Sequence, residues 1–112
     1  MPALHHRHSI SEEEYLAGGE QSDLRHEFID GQVYAMTGAS RAHGLIVNAL
    51  AFAMTPAARR KGCQLFTSDM KLRLDLGGNI VFYYPDLLLS YDPDDRDPLF
   101  TRAPCLIVEV LS

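Results

Sequence analysis

Two short apolar runs in this chain each carry a single carboxylate, and they limit its fold more than any other feature. The first is Tyr84-Pro85-Asp86-Leu87-Leu88-Leu89 and the second is Leu106-Ile107-Val108-Glu109-Val110-Leu111-Ser112. Short runs this rich in Leu, Ile and Val read as strands buried in a sheet. A carboxylate on such a strand loses its water, at a cost of several kcal/mol, unless it is neutralised, hydrogen-bonded or bound to a metal. The two runs therefore define a candidate site.

Length and charge set the frame around them. A chain of 112 residues that is 46% hydrophobic reads as one globular domain, residues 1–112, with room for a core but little surplus stability. The net charge of -5 argues against a broad, non-specific footprint on phosphate backbone, which needs many cations. A small nucleic-acid site is still compatible with it. Arg59-Arg60-Lys61 is the one dense cationic run, and it also suits the C-terminal end of a helix. Cys63 and Cys105 stand in neither a metal-ligand nor a redox spacing. Neither a signal peptide nor an apolar run of spanning length is read in the sequence, so a cytoplasmic protein with reduced thiols and no membrane partner is expected.

Residues 1–9, with His5, His6, Arg7 and His8, read as a flexible tail rather than a metal site. Ser11-Glu12-Glu13-Glu14 is a capping box, predicting a short helix over 12–17 that Gly18-Gly19 ends. Asp30-Gly31 is a type I′ hairpin signal, because both turn positions need positive φ, and it predicts paired strands over 27–29 and 32–36. Ser40 caps a predicted helix to about residue 54, with Leu45, Ile46, Ala49, Leu50 and Ala53 on one face and Val47, Ala51 and Met54 widening it. Pro56 should break or kink that helix at Thr55, with a last turn beyond it continuing to Lys61 before Gly62.

Residues 64–74 read as one strand, on which Lys71 and Arg73 mark a wet face between Met70, Leu72 and Leu74. A turn over 75–79 leads to a return strand that continues through Pro85, where a bulge or edge position is expected. Residues 91–102 form an acidic loop whose aspartates lack the spacing of a calcium loop. The last strand spans 105–111, and a natural domain seldom ends inside its most hydrophobic strand.

On a strand, Ile107, Glu109 and Leu111 share one face. If both faces are covered, Glu109 is buried and needs a partner. A hard divalent cation on Asp86, Glu109 and a backbone carbonyl is one solution. An arginine partner or a retained proton for Glu109, with Asp86 capping a turn, is the other.

Arg25-x-Glu27-x-Ile29-Asp30-Gly31 with Met36, then His43 opening a helix, then Tyr84-Pro85-Asp86 and Val108-Glu109-Val110-Leu111-Ser112, resembles in order the Uma-two family of restriction endonucleases, within the PD-(D/E)XK nuclease superfamily. The resemblance spans nearly the whole chain. It implies an α/β (α+β) restriction-endonuclease-like fold, a mixed central sheet flanked by helices, and cleavage of DNA with Mg²⁺ or Mn²⁺. By the same resemblance Asp86 and Glu109 are metal ligands, Glu27 assists in binding the ion or orienting water, and His43 is accessory. The superfamily's lysine belongs two residues after Glu109, where Leu111 stands. Lys71 is a conceivable substitute, although its alternation with Met70 and Leu72 suits a solvent-facing lysine. Relatives continue past this point, so the chain reads as truncated at its C-terminus, with weak or absent activity. The alternative is a non-catalytic remnant that forms a homodimer through its uncovered last strand.

Overall fold

The computed structural model describes residues 9–111. In chain order the elements are α1 (Glu12–Glu20), β1 (His26–Ile29), β2 (Gln32–Ala35), α2 (Arg41–Arg60), β3 (Gln64–Thr67), β4 (Lys71–Leu76), β5 (Asn79–Tyr83), β6 (Leu87–Ser90), β7 (Phe100–Thr101) and β8 (Leu106–Val108). This is a mixed α+β fold with two helices and two sheets among the described residues, compatible with a restriction-endonuclease-like fold. The chain divides into two compact units, residues 1–37 with 73–83 and residues 38–72 with 84–112. The tail expected over 1–9 lies, except for Ser9, outside the described residues. No described helix is long and apolar enough to cross a membrane.

In the first unit the capping box forms as read. The Ser11 hydroxyl accepts the Glu14 N–H at 3.1 Å, and the Glu14 carboxylate accepts the Ser11 N–H at 3.0 Å. The helix does not stop at residue 17, however; it runs through both glycines to Glu20. A glycine inside a helix costs only about 1 kcal/mol, and tertiary anchors outweigh that here. Tyr15 packs its ring 5.1 Å from those of both Phe28 and Phe82, and its hydroxyl donates to the His26 carbonyl. At the other end of α1, Arg73 of β4 grips Glu12 with a two-pronged contact of 2.7 and 3.1 Å. That hydrogen bond holds the Arg73 guanidinium pKa above its ordinary value. The supposed wet face of Arg73 is thus covered by the first turn of α1.

The Asp30-Gly31 turn has the expected positive φ at both positions, 48° and 86°, and joins β1 to β2 with Ile29 opposite Gln32. β5 lies on the other side of β1, with Phe28 opposite Phe82, so the aromatic core sits between a helix and a central strand pair.

In the second unit, α2 continues unbroken through Pro56 to Arg60 instead of ending near residue 54. Proline removes one donor, leaving the Phe52 carbonyl without its helical partner, and the Thr55 hydroxyl bonds the Ala51 carbonyl at 2.6 Å next to it. The helix ends at Gly62, φ 72°, in a Schellman arrangement: Cys63 N–H bonds Ala58 O at 2.8 Å and Gly62 N–H bonds Arg59 O at 3.2 Å.

The face of α2 that packs on β3 and β6 carries Val47 and Ala58 buried, with His43, Leu50, Ala51 and Met54 half-buried. The expected apolar stripe points mostly the other way, with Leu45 63% and Ile46 48% exposed and Ala49 and Ala53 exposed too; Phe52, outside that stripe, is 84% exposed. α2 is apolar around most of its circumference, so periodicity alone could not fix its rotation. Replacing Phe52 with serine should therefore change unfolding free energy by no more than about 0.5 kcal/mol, as urea denaturation would measure.

The strand expected over 64–74 is two strands separated by a turn at residues 68–70. β3, β6 and β8 form an antiparallel sheet with β6 in the centre, where Leu87, Leu88 and Ser90 are buried. Lys71 and Leu72, the first residues of β4, pair in parallel with Phe100 and Thr101 of β7, a short strand inside the expected acidic loop. The loop's aspartates act as local acceptors: Asp92 for Asp94 N–H, Asp97 for Leu99 N–H, and Asp95 for the N–H groups of Arg102 and Ala103. Cys63 and Cys105 are free thiols.

Candidate active site

Asp86 stands at the entry of the central strand β6. Pro85 before it is fully buried, and its ring fixes φ at that point. The Asp86 side chain is 17% exposed. Its Oδ2 accepts two hydrogen bonds, from the backbone N–H of Val110 at 2.7 Å and from the Nε2 of His43 at 3.1 Å. A carboxylate oxygen can only accept, so the His43 Nε2–H is the donor. Oδ1 has no hydrogen-bond partner among the described residues.

His43 reaches this oxygen because of where Ser40 starts the helix. The Ser40 hydroxyl caps the His43 N–H at 3.1 Å, placing His43 in the first turn of α2 on the face that packs inward. Its side chain is only 13% exposed.

β8 pairs with β6 so that Leu87 faces Val108. One residue beyond this last pair stand Asp86 and Glu109, both outside the strands. β8 itself is shorter than the run suggested, ending at Val108, and Glu109 is exposed rather than buried. An edge strand explains this, since nothing among the described residues covers its outer side, and Leu106 and Ile107 are 42% and 39% exposed. Leu111, two residues after Glu109, is 93% exposed.

Lys71 is half-buried, not a free surface lysine, and its ammonium lies 5.4 Å from the centre of the Tyr84 ring. The pairing of β4 with β7 holds it there. Glu27 is half-buried on β1 opposite Tyr34, in the first unit, whereas His43, Lys71, Asp86 and Glu109 belong to the second. Among the described residues no three His, Cys, Asp or Glu side chains form a ready-made metal cluster. Sequence reasoning missed the Val110 N–H, because a backbone donor has no residue-type signature; only the strand register would have revealed it.

The mixed α+β scaffold that carries this aspartate, with a helix histidine bonded to it, is compatible with the restriction-endonuclease-like class. The comparisons with known proteins agree. Residues 12–112 match the Uma2 family, described as "Putative restriction endonuclease", and the chain belongs to that family. It is 38% identical over 104 residues to an uncharacterised protein of Synechocystis sp., covering 92% of this chain and 54% of the relative. A second uncharacterised protein of the same organism is 31% identical over 102 residues, covering 88% and 56%. The chain spans about half the length of the curated relatives it matches.

Proposed function

We propose that the site built on Asp86 and Glu109 serves divalent-metal-dependent hydrolysis of phosphodiester bonds in DNA. The observation that carries this reading is that Asp86, one residue before the Leu87–Val108 pair, keeps Oδ1 without a hydrogen-bond partner among the described residues, while Glu109 follows that pair and the next residue, Val110, is bonded to Asp86. Mg²⁺ and Mn²⁺ favour such oxygens, and Mg²⁺ is commonly held by one or two carboxylates with the rest of its shell water, so the donor set fits without a third side chain. When bound, the ion supplies a more acidic water and offsets charge on the phosphate. Asp86 and Glu109 hold it, and Glu27 is kept as an assisting carboxylate on the family resemblance alone.

DNA as the partner is supported by charge placement. Although the chain is acidic overall, no Asp or Glu occurs between Asp30 and Asp69, a stretch that contains Arg41, Arg59, Arg60 and Lys61. The Arg59-Arg60-Lys61 run at the C-terminal end of α2 suits a short phosphate contact. Leu111 cannot stabilise a charged transition state, so slow cleavage is expected from this chain.

Thermal melts with and without millimolar Mg²⁺ or Mn²⁺, run beside plasmid nicking, test the reading. Binding to the folded state raises apparent stability, by about 2.7 kcal/mol at one hundred times Kd. The expected result is a metal-linked rise in Tm with slow nicking; no shift with either ion would sink the proposal. A second reading, a non-catalytic homodimer, draws on the exposed β8 edge with Leu106 and Ile107. It predicts concentration-dependent sedimentation and no metal effect.

A further inference from the structure

We infer that His43 is a positioning residue that divides the work of the Asp86 carboxylate, tying Oδ2 to the protein so that Oδ1 alone faces a bound cation. The inference rests on the metal-site reading above, but its geometry stands apart from it. Two donors from distant parts of the chain converge on one oxygen: His43 from α2 and Val110 from the segment after β8. A carboxylate held by one donor pivots about its Cβ–Cγ bond; held by two on the same oxygen, it has a single orientation. The second donor has a further consequence. Val110 follows Glu109 directly, so the bond that orients Asp86 also fixes where the backbone of Glu109 stands after β8 has ended. The three residues thus form one unit, in which His43 sets Asp86 and Asp86 sets the Glu109 segment.

The arrangement is directional. Both donors on Oδ2 draw electron density toward the protein side, and Oδ1 is left as the oxygen without a hydrogen-bond partner among the described residues. His43 spends its Nε2 on Asp86. It serves the site by restricting the ligand, as hydrogen-bond partners behind metal ligands do, where removal typically costs about 10- to 100-fold in metal affinity or activity.

The experiment compares wild type, His43→Ala and His43→Gln, all shown folded by circular dichroism. Mn²⁺ affinity is measured by titration calorimetry, and exchange of the Val110 amide by NMR in metal-free buffer. His43→Ala should weaken Mn²⁺ binding by about 10- to 100-fold and speed Val110 exchange by about 10-fold as Asp86 loosens. His43→Gln, whose amide can donate to the same oxygen, should recover most of both. Unchanged Val110 exchange in His43→Ala would overturn the positioning role. So would full Mn²⁺ affinity in His43→Ala, or a glutamine variant as weak as alanine. If wild type binds no Mn²⁺ while Val110 exchange still responds to His43, the metal reading fails and the orienting contact stands.

Discussion

Replacing Phe82 with alanine is expected to destabilise the protein by about 3–5 kcal/mol, a larger loss than truncation of any half-buried side chain should cause. Phe82 has no exposed surface, lies opposite Phe28 on the neighbouring strand, and contacts Tyr15 at 5.1 Å and Phe28 at 5.9 Å between ring centres. Removing the ring leaves a void between α1 and the β1–β5 pair that neither partner can fill. Tyr15 is held by its bond to the His26 carbonyl, and Phe28 by the hairpin register. A domain of this size has about 5–15 kcal/mol of stability in total, so the variant should be partly unfolded at modest urea concentrations. Urea denaturation followed by circular dichroism measures it, and a loss below about 1 kcal/mol would mean that this cluster is not the core of the first unit. Phe52 supplies the control, a phenylalanine of equal hydrophobicity whose removal should be nearly silent because it is already in water.

That contrast marks where the sequence was readable. The Asp30-Gly31 turn, the capping box and the strand character of residues 87–89 were legible because each depends on local chemistry that residue type dictates. The extent of α1 and α2 was not. Gly18-Gly19 and Pro56 are strong local stop signals, but Tyr15, the Arg73–Glu12 contact and the inward face of α2 outweigh them, and those are long-range terms. The rotation of α2 was unreadable for a different reason: with apolar residues on nearly every side, 3.6-residue periodicity gives no preferred face. The break of the 64–74 run depends on Ser68 N–H bonding the Asp86 carbonyl, which no local pattern announces.

The site was legible in its residue types and illegible in its connections. Asp86 and Glu109 stood out as carboxylates in apolar runs, and they flank the Leu87–Val108 pair that joins β6 to β8. Their expected burial was correct for Asp86, at 17% exposure, and wrong for Glu109, because β8 is a three-residue edge strand and not a central one. His43 was marked as accessory on resemblance, and its 3.1 Å contact with Asp86 gives it a physical task. Lys71 read as a surface lysine because alternation reports which face a residue is on, not what stands beside it; Tyr84 stands beside it.

Exchanging Asp86 for asparagine separates the structural task of that carboxylate from its proposed chemical one. Asparagine has the same shape, and its carbonyl oxygen can take the place of Oδ2, accepting from both Val110 N–H and His43 Nε2. The amide nitrogen then occupies the position of Oδ1 and directs two N–H groups at the place a cation would occupy. The fold and the Val110 amide protection should persist, while the metal-linked rise in Tm disappears and any metal-dependent nicking falls by about 100-fold or more. Asp86→Ala should lose the same chemistry and also leave two donors without an acceptor, at about 1–3 kcal/mol of stability. Parallel melts of wild type, asparagine and alanine variants, each with and without Mn²⁺, resolve the two effects. An asparagine variant that keeps the full metal shift places the ion somewhere other than Oδ1, and with it the proposed chemistry.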